Sequence, residues 1–144
     1  MLDTATQRQP ELFALADAPL PPSGGSKPYR TQILKWVGNK QKQADAIISH
    51  FPRQFGTYFE PFLGSGGVLG VLAPRNAVAS DTFAPLVEIW QTLHNDKDKL
   101  KQQYAERYAQ ISPLGKKAAY ERVLASYNTR PNGADLLFLC RACY

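Results

Sequence analysis

Thr57-Tyr58-Phe59-Glu60-Pro61-Phe62-Leu63-Gly64-Ser65-Gly66-Gly67-Val68-Leu69-Gly70-Val71-Leu72 is the stretch that decides the fold. Its first six residues are rich in aromatics and read as a buried strand. The glycine run Gly64-Ser65-Gly66-Gly67 follows, and Val68 to Leu72 read as a short helix. A strand that enters a glycine loop and then a helix is the place where open α/β sheets bind ligands. Gly64 and Gly66 are free to take positive φ and to let a ligand approach the backbone with no Cβ in the way.

Downstream, Ala77-Val78-Ala79-Ser80 reads as a second small apolar strand that ends at Asp81. Leu86, Ile89, Trp90 and Leu93 then form a helical stripe, with Pro85 acceptable in its first turn. Two more stripes follow, Leu100, Tyr104, Tyr108 and Ile111, then Tyr120, Val123, Leu124 and Tyr127, separated by Pro113 and Gly115. The tyrosines read as core or half-core residues before they read as a stacking platform. Upstream, Ala44, Ile47, Ile48 and Phe51 recur at helical spacing, and that helix is expected to end at Pro52. The order helix, strand, glycine loop, helix, strand, helix describes a βαβ unit with helical elaboration.

Residues 1–28 read as a flexible tail, because Pro19, Pro21, Pro22 and Pro28 with Ser23-Gly24-Gly25-Ser26 deny it regular structure. Order is expected to begin near Tyr29. The 144 residues fit one domain, and 44% hydrophobic with 20% charged residues is a globular composition. No apolar run approaches the ~20 residues of a membrane span, and the start lacks a signal-peptide pattern, so a cytoplasmic protein is the default expectation. The net charge is +5, with a net of −2 over residues 1–26 and +7 over the remainder. A basic body suits a polyanionic partner, although lysines also simply solvate helix faces. Cys140 and Cys143 close an apolar run with no second ligand pair, so they read as buried structural thiols. His50 and His94 suggest no ligand cluster, and no metal site is expected.

The candidate site has three parts in order. Lys35-Trp36-Val37-Gly38-Asn39-Lys40 supplies a flat apolar face in Trp36 and a cation in Lys40. The glycine loop comes second. Asp81, 15 residues beyond Gly66, can accept hydrogen bonds from both hydroxyls of a ribose. Taken singly these features are unspecific: Asp81 alone reads as a helix N-cap, Trp36 alone as core, and Gly64-x-Gly66-x-x-x-Gly70 as a loose dinucleotide-type pattern.

Taken together they resemble a known family. Lys35-Trp36-x-Gly38-x-Lys40 is similar to the opening cofactor motif of Dam-type DNA adenine methyltransferases, and Phe59-Glu60-Pro61-Phe62-Leu63-Gly64-Ser65-Gly66 to their S-adenosylmethionine loop. Ser80-Asp81 resembles the acidic strand end that follows, and Leu137 to Tyr144 the helix leading toward the target-recognition region. The resemblance runs from about residue 33 to the last residue. It implies a partial Rossmann-like methyltransferase fold over residues 29–144, truncated as target recognition begins. It implies a site-specific enzyme that moves a methyl group from S-adenosylmethionine to adenine N6. Cofactor-binding roles would fall to Trp36, Lys40, Glu60, Pro61, Phe62, Gly64, Gly66 and Asp81. Double-stranded DNA would be the partner, with a carboxyl-terminal complementing segment as a further one.

Two positions depart from the family pattern. Asn39 stands where a second glycine is frequent, and Asp81-Thr82-Phe83 lacks an asparagine two places after the aspartate. The family's Asp-Pro-Pro-Tyr motif, whose oxygens accept from the adenine amino group and whose aromatic ring stacks on the flipped base, is absent. The adjacent prolines Pro21-Pro22 lie in the tail and precede no aromatic residue, so no catalytic residue is assigned. Two other readings stay open: a non-catalytic module that binds S-adenosylmethionine or DNA, and a nicotinamide-dinucleotide-binding domain. The Lys35–Lys40 segment upstream of the first strand is not required by the latter.

Overall fold

A computed structural model describes residues 28–142. The tail expected over residues 1–28 therefore falls almost wholly outside the described residues, as does Cys143. After a 3-10 turn at Gln41–Gln43, the elements run α1 (Ala44–Ile48), β1 (Tyr58–Glu60), α2 (Gly67–Leu72) and β2 (Ala77–Ala79). Five helices follow: α3 (Ala84–Asn95), α4 (Lys97–Tyr108), α5 (Ile111–Leu114), α6 (Lys116–Thr129) and α7 (Gly133–Ala142). The strands pair in parallel, with Tyr58 opposite Ala77, Phe59 opposite Val78 and Glu60 opposite Ala79. The βαβ unit and its helical elaboration are thus present.

Three details differ from expectation, each for a physical reason. The first helix stops at Ile48 rather than at Pro52, because the amide N–H of His50 closes on Ile47 and that of Phe51 on Ile48, three residues back instead of four, in a tightening last turn. Pro113 lies inside α5, where the first-turn position tolerates it, and Gly115 at φ +80° makes the break instead. The strands are not buried: Phe59 is 67% exposed and Val78 54%. Those two residues face each other in register on one side of the sheet. Tyr58 and Glu60, on the other side, are half-buried. Side chains alternate along a strand, so β1 is half-buried at Tyr58 and Glu60 and open at Phe59, whereas β2 is exposed at all three of its residues.

The covered face rests on α1 and α2, whose Ala44, Ile48, Val68, Val71 and Leu72 form one buried cluster with Phe51, Phe55 and Tyr58 against it. A second cluster joins Leu34, Leu86, Ile89, Leu100, Leu136 and Leu137, with Trp36 and Trp90 packed on it. Val123, Phe138 and Leu139 form the third. Helix α7 belongs to two of these clusters because it is apolar nearly all round, and every residue from Gly133 to Leu139 is buried. Its polar exception is Asp135, 2% exposed, which accepts from Arg107 Nε, Ser126 Oγ and Asn132 Nδ2, each at 2.8 Å. Of the tyrosine stripes, Tyr104, Tyr120 and Tyr127 are half-buried as expected, whereas Tyr108 is 57% exposed. Cys140 is half-buried rather than buried. No described helix is long and apolar enough to cross a membrane.

Candidate functional site: a cleft at the glycine loop

The loop after β1 is held by its neighbour strand. The Leu63 N–H donates to the Ser80 carbonyl at 2.9 Å, Ser80 N–H to Glu60 at 3.0 Å, and Ser80 Oγ to the Pro61 carbonyl at 3.2 Å. Both glycines anticipated to take positive φ do so, Gly64 at +51° and Gly66 at +63°. Gly64 is then gripped at both polar backbone atoms. Its N–H donates to Asp81 Oδ2 at 2.9 Å, and its carbonyl accepts from the Trp90 indole Nε1 at 2.9 Å. At Gly66 the requirement is steric as well, since an added Cβ would stand 2.8 Å from the Trp90 ring. At Gly67 a Cβ would meet Gln41 N at 2.7 Å and Asn39 Oδ1 at 2.8 Å. The turn at residues 38–41 therefore packs directly on the start of α2.

That packing forms a cleft of about 220 Å³ at the carboxyl ends of both strands. One wall is Trp36, Gly38, Asn39 and Lys40, the floor is Gly64 and Ser65, and Glu60, Phe62 and Asp81 complete the rim. Six of the eight expected site residues, Trp36, Lys40, Glu60, Phe62, Gly64 and Asp81, thus converge on one place. Pro61 and Gly66 do not line it. Pro61 is exposed and offers its carbonyl to Ser80, while Gly66 turns toward a second, largely apolar cavity of about 430 Å³. That cavity lies behind the loop, between Tyr29, Ile33, Leu69, Trp90 and Leu93.

The two carboxylates in the cleft have opposite characters. Asp81 is held below the usual carboxylate range by the backbone N–H groups of Gly64 and then Phe83. Asp81 is not the N-cap of α3, which is Phe83; its Oδ1 accepts instead from the Phe83 N–H at 3.0 Å. Glu60 is pushed up by burial, against hydrogen bonds from Tyr58 and from the Leu69 N–H, 3.1 Å from Oε2. Burial, and then the Glu60 charge, hold the Tyr58 hydroxyl well above the ordinary phenol range. A carboxylate has about four acceptor positions, so Asp81, with one N–H on each oxygen, keeps capacity for two hydroxyl donors.

Trp36 is half-buried, packs on the core and lies 5.6 Å from the Phe83 ring, so it is both core and cleft wall. Phe62 is 84% exposed at the rim. Two cleft residues carry buried polar atoms with no hydrogen-bond partner, Asn39 Nδ2 and Ser65 Oγ. Leaving such a group unmade costs ~1–3 kcal/mol. Sequence reasoning missed the part played by Trp90, which it placed only in an apolar stripe. A tryptophan in such a stripe also has an N–H that needs a partner when buried, and that was the available signal. Among the described residues no group of three or more His, Cys, Asp or Glu is placed to hold a metal.

A parallel βαβ unit with a glycine loop and an acidic second strand end is a nucleotide-type binding architecture. A profile of the D12 class N6 adenine-specific DNA methyltransferase family matches residues 36–144, and the chain belongs to that family. It is similar to the type II methyltransferase M1.LlaDCHI of Lactococcus lactis subsp. cremoris, 30% identical over 68 residues, covering 47% of this chain and 24% of that protein. It is also similar to the type II methyltransferase M.MjaIII of Methanocaldococcus jannaschii, 25% identical over 131 residues, covering 78% of this chain and 45% of that protein. The chain spans less than half the length of either relative.

Proposed function

We propose that the chain is the cofactor-holding part of a site-specific DNA methyltransferase acting on adenine N6, with S-adenosylmethionine as its cofactor and a partial Rossmann-like fold around it. The observation that carries this reading is the convergence of the Trp36–Lys40 turn, the Glu60–Gly64 loop and Asp81 on one cleft, in a chain of this family. The residues present fit the group. Two acceptor positions on Asp81 suit a ribose diol, and the unpartnered Asn39 and Ser65 atoms call for a polar ligand. Trp36 offers a flat apolar wall, Lys40 a cation and Gly64 a close-lying backbone.

When bound, S-adenosylmethionine supplies an activated methyl group. The chain's own residues hold and orient it: Asp81 fixes the ribose end, and the grip of Asp81 and Trp90 on Gly64 keeps the loop from shifting as the ligand enters. Orientation of this kind contributes much of the rate in group transfer. The acceptors for the adenine amino protons and the stacking surface for the flipped base are not in the sequence, which has no Asp-Pro-Pro-Tyr motif. A complementing carboxyl-terminal segment is the source we propose for them. The net charge of +5 supports phosphate contact with double-stranded DNA, and the type II names of the relatives support a restriction-modification setting.

Isothermal titration of the 144-residue chain with S-adenosylmethionine and, separately, with a nicotinamide dinucleotide tests the reading. Saturable binding of the first and none of the second is expected. Binding of the dinucleotide alone would overturn it.

A further inference from the structure

The described chain begins beside the apolar cavity that lies behind the glycine loop. The Tyr29 N–H donates to the Gly70 carbonyl at 2.7 Å, and the Tyr29 carbonyl accepts from Gln41 Nε2 at 3.3 Å. Gly70 permits that approach, since an added Cβ would stand 3.3 Å from the Tyr29 carbonyl oxygen. Tyr29, Gln41 and Gly70 all line the cavity, so the chain before Tyr29 departs from its wall. The larger apolar side chains around it are Tyr29, Ile33, Leu69, Trp90 and Leu93, and none of the five is fully buried. At about 430 Å³ the cavity falls within the ~300–1,000 Å³ of pockets that enclose a drug-sized molecule.

An apolar hollow open to water marks an interaction site, and the sequence holds a matching occupant upstream. Leu12-Phe13-Ala14-Leu15-Ala16 is the longest apolar run before Tyr29 and lies outside the described residues. Glu11 and Asp17 flank it, and residues 1–26 carry a net of −2 against +7 for the rest, so charge draws this segment onto the body. Arg141 places an exposed cation beside the Ile33 wall, its Nη1 donating to the Ile33 carbonyl at 2.7 Å. Residues 17–28 join the run to Tyr29 and, at ~3.3 Å per residue, give ample reach. Ser23-Gly24-Gly25-Ser26 within them supplies the reversal of direction. Docking a few side chains needs no helix, so the prolines that deny this stretch regular structure do not oppose it. We infer that Leu12, Phe13 and Leu15 of the same chain fill the cavity and brace Trp90. That ring forms one wall and holds the Gly64 carbonyl through Nε1 at 2.9 Å, which ties the docked segment to the glycine loop. The inference does not depend on which ligand the loop binds.

Nuclear Overhauser spectroscopy of the full 144-residue chain tests it. Contacts are expected from the Phe13 ring and the Leu12 and Leu15 methyls to the Leu69 and Leu93 methyls and the Trp90 indole. Absence of all such contacts would overturn the inference. In a mixture of isotope-labelled and unlabelled chains the contacts should stay within one chain. Contacts found only between chains would overturn it in favour of a second copy as the occupant. Phe13→Asp sets a charge against the apolar wall and leaves the described residues untouched. It is expected to lower the melting temperature by about 3 °C or more and to shift tryptophan emission to the red as Trp90 meets water. Thr4→Asp adds the same charge outside the run and should move the melting temperature by less than about 1 °C. Equal melting temperatures for the two variants would likewise overturn the docking.

Discussion

Asp81 and Trp90 grip Gly64 from opposite sides, one at its N–H and the other at its carbonyl. The carboxylate was foreseeable as a strand-end acceptor, since an acidic residue after a small apolar strand is a local pattern. The indole was not, because its partner lies 26 residues away and nothing local connects them. Asp81→Ala removes both the loop bond and the two acceptor positions proposed for ribose. Cofactor affinity is expected to fall by roughly tenfold or more, at ~1.5–3 kcal/mol per hydrogen bond to a charged group, as read by isothermal titration. Equal affinity in a folded variant would end the assignment. Gly66→Ala faces two obstacles, a φ of +63° and the Trp90 ring 2.8 Å from the new Cβ. Left-handed backbone alone costs a non-glycine residue ~1–2 kcal/mol. Pairing it with Trp90→Leu should recover the steric part and leave the backbone part. A double variant no more stable in urea than Gly66→Ala alone would show that Trp90 yields freely.

Helices α3, α4 and α6 were legible from apolar periodicity, and α7 from the family resemblance of residues 137–144. The role of α7 was legible too, because a run of Leu136-Leu137-Phe138-Leu139 has no polar face to show to water. What its pattern does not reveal is how one buried carboxylate is tolerated there. Burial pushes Asp135 up, but Asn132, Ser126 and Arg107 together outweigh it and hold its pKa below the ordinary value. A carboxyl depressed in the folded state contributes stability above its unfolded value of ~3.9, and that contribution is lost as pH falls below that value through the folded one. Asp135→Asn should therefore destabilise the chain by roughly 2–3 kcal/mol at pH 7. The gap to the unsubstituted chain should close as the pH is lowered from about 4 downward. A gap that stays constant across acid denaturation curves would place the role of Asp135 in packing rather than charge.

At the scale of the whole molecule, the sheet has one face on α1 and α2 and one face, with Phe59 and Val78, open to water. The cleft at the glycine loop is the place we propose for a cofactor, and among the described residues none is assigned to a flipped base. Extruding a base costs a few kcal/mol in stacking and pairing, and no described pocket carries the family motif that would offset it. Incubation of the 144-residue chain with labelled S-adenosylmethionine and an adenine-containing duplex is expected to give no incorporation above a blank, although weak duplex binding should persist and fade steeply with salt. Turnover in that assay would reveal a catalytic group that the sequence does not display.

The sequence by itself determined the order of elements, the parallel βαβ unit, the family and the membership of most of the cleft. These follow from contacts between near neighbours in the chain: apolar periodicity, glycine where φ must be positive, and a carboxylate at a strand end. Only the tertiary structure decided which polar atoms are satisfied. Asn39 Oδ1 is used up by Gln41 while Nδ2 is left over, Trp90 reaches back to Gly64, and Gly66 turns away from the cleft it was expected to line. Exposure of β1 was equally beyond the sequence, because an apolar strand reads the same whether or not another layer covers it. Burial and hydrogen-bond satisfaction depend on groups distant in sequence, and no local pattern carries that information.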